Sequence, residues 1–379
     1  MEFLKRFPGG LLTGCLFLLC CGPPRPIEID AERISCSWQN SGGDPGRASF
    51  VNFPTPDQPR LLWSVEFESS LYMQPTAALG FLLVPTIDKR VHVISANKGT
   101  SVAEIKFRDV IMAPLALDDS MMAINLEGNK LVVGNWVNQM FDWQADLEGS
   151  SLEPLIFDKA ILWLDGENYL RCFDLKEGKR IWDEKLDGNY AAPPAASAEG
   201  FVVAASDGKI ECFDPENGNR IWQSESQGRF RNPPVIVDGY VLVASTGGHL
   251  EKISIADGRR IWQSDLRSPV YAPIASDGQG VFVGTNNRMA VRLDFSSGKI
   301  DWETSINGPI KAGPVITSDL AVFVSIDHNA YFLDKVTGEV RYVFETEGML
   351  TMRPVVCDDK VYIAGEDDHL YCLQLSKEE

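Results

Sequence analysis

The chain has 379 residues, 44% of them hydrophobic, and 53 acidic side chains against 35 Lys and Arg give a formal net charge of −18. Nucleic-acid phosphates would be repelled by such a surface, which argues against a nucleic-acid partner. The length by itself allows one large domain or two.

Residues 1–21 read as an export signal. Lys5 and Arg6 precede an apolar run from Leu11 to Cys21 that is too short to span a bilayer, and the chain then turns polar at Gly22-Pro23-Pro24-Arg25. The cysteine ending the run resembles a bacterial lipidation site. Cys21 has the better apolar core ahead of it; Leu12-Thr13-Gly14-Cys15 makes Cys15 the alternative, and an unlipidated secretory signal stands beside both. Residues 22–59, rich in Pro, Gly and Ser, read as a tether and lead-in. Within them Trp38 to Pro45 is the patterned part, expected to lie against the domain that follows.

From residue 60 to the end the chain repeats. Gly178-Lys179-Arg180-Ile181-Trp182 recurs as Gly218 to Trp222, Gly258 to Trp262 and Gly298 to Trp302, at intervals of 40 residues. The frame continues forward to Tyr342 and backward to Trp143, Ala103 and Trp63. A fixed period of this size means a repeat architecture. Prolines follow each anchor at Pro75, Pro114, Pro154, Pro193, Pro233, Pro273, Pro314 and Pro354, where a residue that cannot donate to a ladder belongs at a strand's start. Two apolar β-rich runs come next, split by turns such as Asp238-Gly239. A second turn such as Asp207-Gly208 leads to a third strand such as Ile210 to Asp214, whose aspartate is suited to accept bonds from the amides of the next turn.

Each repeat is thus four short antiparallel strands, and the fold is all-β, an eight-bladed β-propeller over residues 60–379, with an open solenoid as runner-up. The last repeat has only three strands before the chain stops, while Trp63 sits on a lone strand near its start. Strand 60–67 is therefore expected to complete the last blade and close the ring. Trp63, Trp143, Trp182, Trp222, Trp262, Trp302 and Tyr342 are expected to dock each blade on the next.

Other chemistry-bearing residues are scattered. Cys172, Cys212 and Cys372 share one third-strand position and read as free structural thiols, while a Cys36–Cys357 pair is left open by the sequence. His92, His249, His328 and His369 fall in four different blades, so solvated turns are the expectation, not a metal cluster. Asp327, Glu366, Asp367 and Asp368 gather near one rim, where a charged turn is favoured over a calcium ion.

With the glycine-to-tryptophan motif, the proline lead-in and strands ending Cys-Phe-Asp, the chain resembles the quinoprotein-type repeat family over residues 60–375, and Trp38 to Ser49 resembles the family's lead-in. The resemblance implies an eight-bladed propeller whose tryptophans join adjacent blades. Two branches compete. One is the BamB-type outer-membrane assembly lipoproteins, which bind a partner and catalyse nothing. The other comprises dehydrogenases holding pyrroloquinoline quinone, often with calcium and a disulfide between adjacent cysteines. No adjacent cysteines occur outside the signal, and the even spacing leaves no long insertions, which favours the first branch and no cofactor. A ligand-sensing propeller is a third reading.

The expectation is therefore a non-enzymatic, monomeric envelope scaffold, lipid-anchored and facing the periplasm, with a protein partner. Its binding face is placed on the loops leading to the innermost strands, where Arg229, Phe230, Arg231, Tyr271, Lys311 and Arg353 gather basic and aromatic side chains on an otherwise acidic chain. BamB-type proteins use the same loops with a pair of aspartates; here Arg267 to Val270 lacks one.

Overall fold

A computed structural model describes residues 26–29, 37–53, 58–146 and 152–375. The export signal, Cys15, Cys21 and Cys36 lie outside the described residues. Among the described residues there is no helix, and eight antiparallel blades follow one another round a ring. The first seven span 76–106, 116–146, 155–185, 195–225, 235–265, 275–305 and 315–345. The eighth is composite: Arg60–Glu66 pairs with His369–Gln374, setting Trp63 opposite Cys372, so the ring is closed by its own early strand and no free edge remains at the seam.

Turn chemistry sets the blades. The turn between second and third strands takes positive φ at its second residue in every blade, from Lys89 and Asn129 to His328 and Asp368. Gly, Asn and Asp adopt this cheaply; Lys89, Arg288 and His328 do so against preference. The aspartate ending the third strand behaves as its position suggests: Asp214 accepts the amides of Glu216 (2.8 Å) and Asn217 (3.2 Å), and Asp174 and Asp334 do the same one and three blades away. Cys172, Cys212 and Cys372 are free and buried, and burial pushes each thiol up to about 12. Cys357 is disulfide-bonded.

The joints between blades follow one rule. Each tryptophan lies over the glycine of the following blade: a Cβ on Gly218 would sit 2.5 Å from the Trp182 ring, and Gly99, Gly178, Gly258, Gly298 and Gly338 meet Trp63, Trp143, Trp222, Trp262 and Trp302 in the same way. The indole N–H of Trp143, Trp182, Trp222, Trp262 and Trp302 donates to a carbonyl three residues before that glycine. Trp63 is the exception: its N–H has no partner, and the carbonyl at the corresponding place, that of Ala96, accepts the Tyr362 hydroxyl (3.0 Å).

Where the tryptophan is missing, so is the glycine. Ala103 of the first blade faces a second blade with Gln139 at the glycine position, at φ 57. Trp136 fills that joint from the other side, edge-on to Phe81 at 6.0 Å and donating to the Asp119 carbonyl. Ile27 completes the cluster, buried beside it, with its amide bonded to the Val137 carbonyl (2.8 Å). At the seam, Tyr342 replaces tryptophan and buried Pro59 stands four residues before Trp63.

Within 22–59, the segment around Trp38 to Pro45 lies against the propeller as its pattern suggests, and the described contacts extend on both sides of it. Residues 26–29 are held against the second blade, and residues 37–53 are built into the ring.

Candidate functional site

The centre of the ring is filled by the chain itself. Ser37–Trp38 pairs with the innermost strand of the first blade. The carbonyls of Gln39, Pro45, Gly46, Ala48 and Ser49 then accept amides from the innermost strands of the second, fourth, fifth, sixth and seventh blades, at 2.7–3.0 Å. The third blade is reached through Glu153, which accepts the amide (2.7 Å) and hydroxyl (2.6 Å) of Ser41. The eighth is reached through Arg353, which donates to the Ser41 carbonyl (3.1 Å) and the Ser49 hydroxyl (2.7 Å). One segment thus touches all eight blades. Its tight turn needs glycine, since a Cβ on Gly42 would meet Arg47 at 2.5 Å and Gly43 has φ +93.

Four charged groups lie inside this plug. Arg47, fully buried, donates to the Pro194 carbonyl (2.8 Å) and pairs with Glu153 (2.7 Å). Burial, with Arg47 nearby, pulls the Arg353 guanidinium down to about 9, opposed by Glu153 and Asp44. Burial also holds the Asp44 carboxyl above its ordinary value despite amides that favour its charge. A buried charge is costly unless paired and hydrogen-bonded, so these groups stand or fall together.

The mouth lies on the other side of the innermost strands from their first turns. Arg229, Arg231, Tyr271 and Lys311 are exposed there, Tyr271 to 50%. Phe230 and Arg353 are corrections. Phe230 is 1% exposed and sits in the core between the fourth and fifth blades, because alternate residues of that loop point down into the inter-blade seam. Arg353 is 5% exposed and turned inward to the plug. Exposed Met112, Arg267 and Met349 join the mouth. The other singled-out acids work within their turns: Asp327 and Asp367 accept the Tyr331 and Tyr371 hydroxyls, Glu366 that of Thr351, and Asp368 the Leu71 amide.

The plug contacts had a signal in the repeat that went unread. The residue before each lead-in proline faces the axis, and it is Ala or Gly at 113, 192, 272 and 313 but Glu153, Asn232 and Arg353 in the other three buried cases. Of these polar outliers Glu153 and Arg353 reach in to hold the plug, whereas Asn232 donates to the Ala272 carbonyl of the next blade (3.1 Å).

Among the described residues many surface cations are paired, as Arg220 is with Glu211 (2.8 Å) and Lys130 with Asp109 (2.7 Å). Among the described residues the side chains of Arg229, Arg231, Arg267 and Lys311 have no acidic partner. At the mouth these unpaired cations lie beside exposed Tyr271, Met112 and Met349; Lys98, Lys176 and Lys299, on turns of the opposite face, likewise have no acidic partner among the described residues.

Residues 256–377 match the family model described as outer membrane protein assembly factor BamB. The match covers about the last third of the chain; over the rest the eight-bladed propeller fold carries the likeness. The chain's backbone is similar to that of BamB from Moraxella catarrhalis, with a TM-score of 0.72 at 18% identity, covering 84% of this chain and 100% of that one. It is also similar to the quinohemoprotein alcohol dehydrogenase from Comamonas testosteroni, with a TM-score of 0.76 at 13% identity over 92% of this chain and 82% of that one. A computationally designed protein, Ika8, matches with a TM-score of 0.74 at 13% identity, over 83% of this chain and 99% of its own. Likeness at such identity shows the fold alone, and a fold does not fix an activity. No curated protein matches the chain in sequence.

Proposed function

We propose that this PQQ-like propeller is a non-enzymatic scaffold of the bacterial envelope, monomeric, lipid-anchored through Cys21 and binding a protein partner at its mouth, in outer-membrane protein assembly. The observation that carries this reading is the set of exposed, unpaired cations, Arg229, Arg231 and Lys311, beside Tyr271 on a chain of net charge −18. Cations placed to offset local acids would have partners; these lack them, so an acidic, extended protein segment is the complementary occupant. Arginine and tyrosine also suit the anchor role at an interface. The family match to a BamB model over residues 256–377 supports an assembly role.

The dehydrogenase neighbours raise a second reading, in which a quinone with three carboxylates lies over the axis. The residues present do not fit it. The axial cations, Arg47 and Arg353, are 0% and 5% exposed and donate to Pro194, Glu153, Ser41, Ser49 and Ile274, beneath a backbone that crosses the axis. Among the described residues no three His, Cys, Asp or Glu side chains are grouped to hold a metal.

The test is a charge reversal, Arg231→Glu with Lys311→Glu, in the full-length protein. Capture of envelope proteins from solubilised membranes is expected to lose at least one specific partner. Capture identical to that of the unsubstituted protein would sink the proposal.

A further inference from the structure

The N-terminal segment fixes how the ring stands on a membrane. Ile27 is buried in the joint between the first and second blades, and its amide bonds to the Val137 carbonyl (2.8 Å). Val137 lies in the turn between Lys130–Asn135 and Met140–Asp146, the third and fourth strands of its blade. In an up-and-down blade these turns share one face of the ring with the turns that follow the innermost strands. The loops carrying Arg231, Tyr271 and Lys311 lie on the opposite face.

Only residues 22–25 separate Cys21 from the first described residue, Pro26. Six peptide steps from Cys21 to Ile27 reach at most about 21 Å even when fully extended. We infer that the lipid-anchored protein stands with the turn face of its first two blades against the bilayer and its mouth directed away from it. This rests on the anchoring at Cys21 proposed above and adds the orientation. A six-residue strand adds about 20 Å of height between the two faces, which takes up the whole reach of the extended leash and leaves none to carry the chain round the rim if the mouth lay on lipid.

A consequence concerns the mouth's own partner. Exposed, unpaired cations suit anionic headgroups as well as acidic protein. With the mouth held off the bilayer, the cations of Arg229, Arg231 and Lys311 are left for protein. A longer leash, as anchoring at Cys15 would give, reaches about 40 Å and removes the constraint.

The experiment uses full-length protein recovered from membranes and reconstituted in phosphatidylethanolamine and phosphatidylglycerol vesicles carrying an acceptor dye on their headgroups. A donor dye is placed on Lys98→Cys, an exposed turn-face site in the first blade, or on Lys311→Cys at the mouth; Cys172, Cys212 and Cys372 are buried. Donor quenching is expected to be at least about twofold stronger from position 98, given the difference in height. Inserting a long Gly/Ser segment after Gly22 is expected to erase the difference. Equal quenching from the two sites, or a difference that survives the insertion, overturns the orientation while leaving anchoring intact. Protein that does not float with vesicles, with no lipid on its N-terminal peptide, overturns the anchoring and the orientation together.

Discussion

Gly218→Ala tests the joint rule most sharply, because two costs are written in its geometry. Gly218 has φ +73, where a residue with a Cβ is disfavoured by about 1–2 kcal/mol. The new methyl would also sit 2.5 Å from Trp182, an overlap with a ring and not with a flexible chain end, and overpacking of this kind costs about 1–3 kcal/mol. The sum is about 3 kcal/mol, or about 4 °C in Tm for a domain of this size. Trp182→Ala alone opens a cavity worth about 3–5 kcal/mol. In the double variant the methyl enters the space the ring has left, so the losses should fall short of additive by about 1–2 kcal/mol. The protein contains its own version of that double variant in Ala103 with Gln139. Gln139→Gly accordingly relieves a strained residue with no ring above it, and should change stability by less than about 1 kcal/mol. Urea titrations followed by far-UV circular dichroism give all four values. Strict additivity of Gly218→Ala and Trp182→Ala, or a Gln139→Gly loss as large as that of Gly218→Ala, would refute the reasoning.

The plug makes further predictions. Glu153→Gln removes the carboxylate facing two buried guanidiniums and should cost about 3–5 kcal/mol, read as a lowered melting temperature. Asp44, whose carboxyl burial raises, favours the fold most when protonated; that contribution is complete below its unfolded value of about 3.8 and is lost as pH rises through the folded one. Asp44→Asn should therefore gain on the unsubstituted protein between pH 4 and pH 7, and parallel Tm profiles over that range would contradict this. Peptide mapping without reductant should find Cys357 in a crosslinked peptide and Cys172, Cys212 and Cys372 as thiols released for labelling only on unfolding.

The ring was legible because its determinants are local. Asp214 and Gly218 set a turn within five residues, and Trp182 meets a glycine one repeat on, so period and composition expose both. The plug was not, because backbone carbonyls make most of its bonds and any residue can supply those; Gln39 and Pro45 reach partners 78 and 151 residues away with no side-chain pattern to announce it. The mouth was half legible. Arg229, Arg231, Tyr271 and Lys311 are exposed as their loop positions suggest, whereas Phe230 and Arg353 share the composition of that sector but point into a seam and into the axis. Composition locates a charged sector; only the alternation of each loop decides which side chains leave the core. Ile27 shows the same limit, since nothing in Pro26 to Ile29 foretells that it completes the one inner joint without a tryptophan over a glycine.

The mouth as the partner-binding face is tested most directly by a photo-activated crosslinking residue placed, one site at a time, at Arg231 and Tyr271 on the mouth and at Lys299 and Ile221 on the turn face and outer rim, all of them exposed. After illumination of intact cells, specific protein adducts should form from the two mouth positions and not from the other two. Adducts confined to position 221 or 299, or a mouth that stays unlinked while the rim is captured, would contradict it.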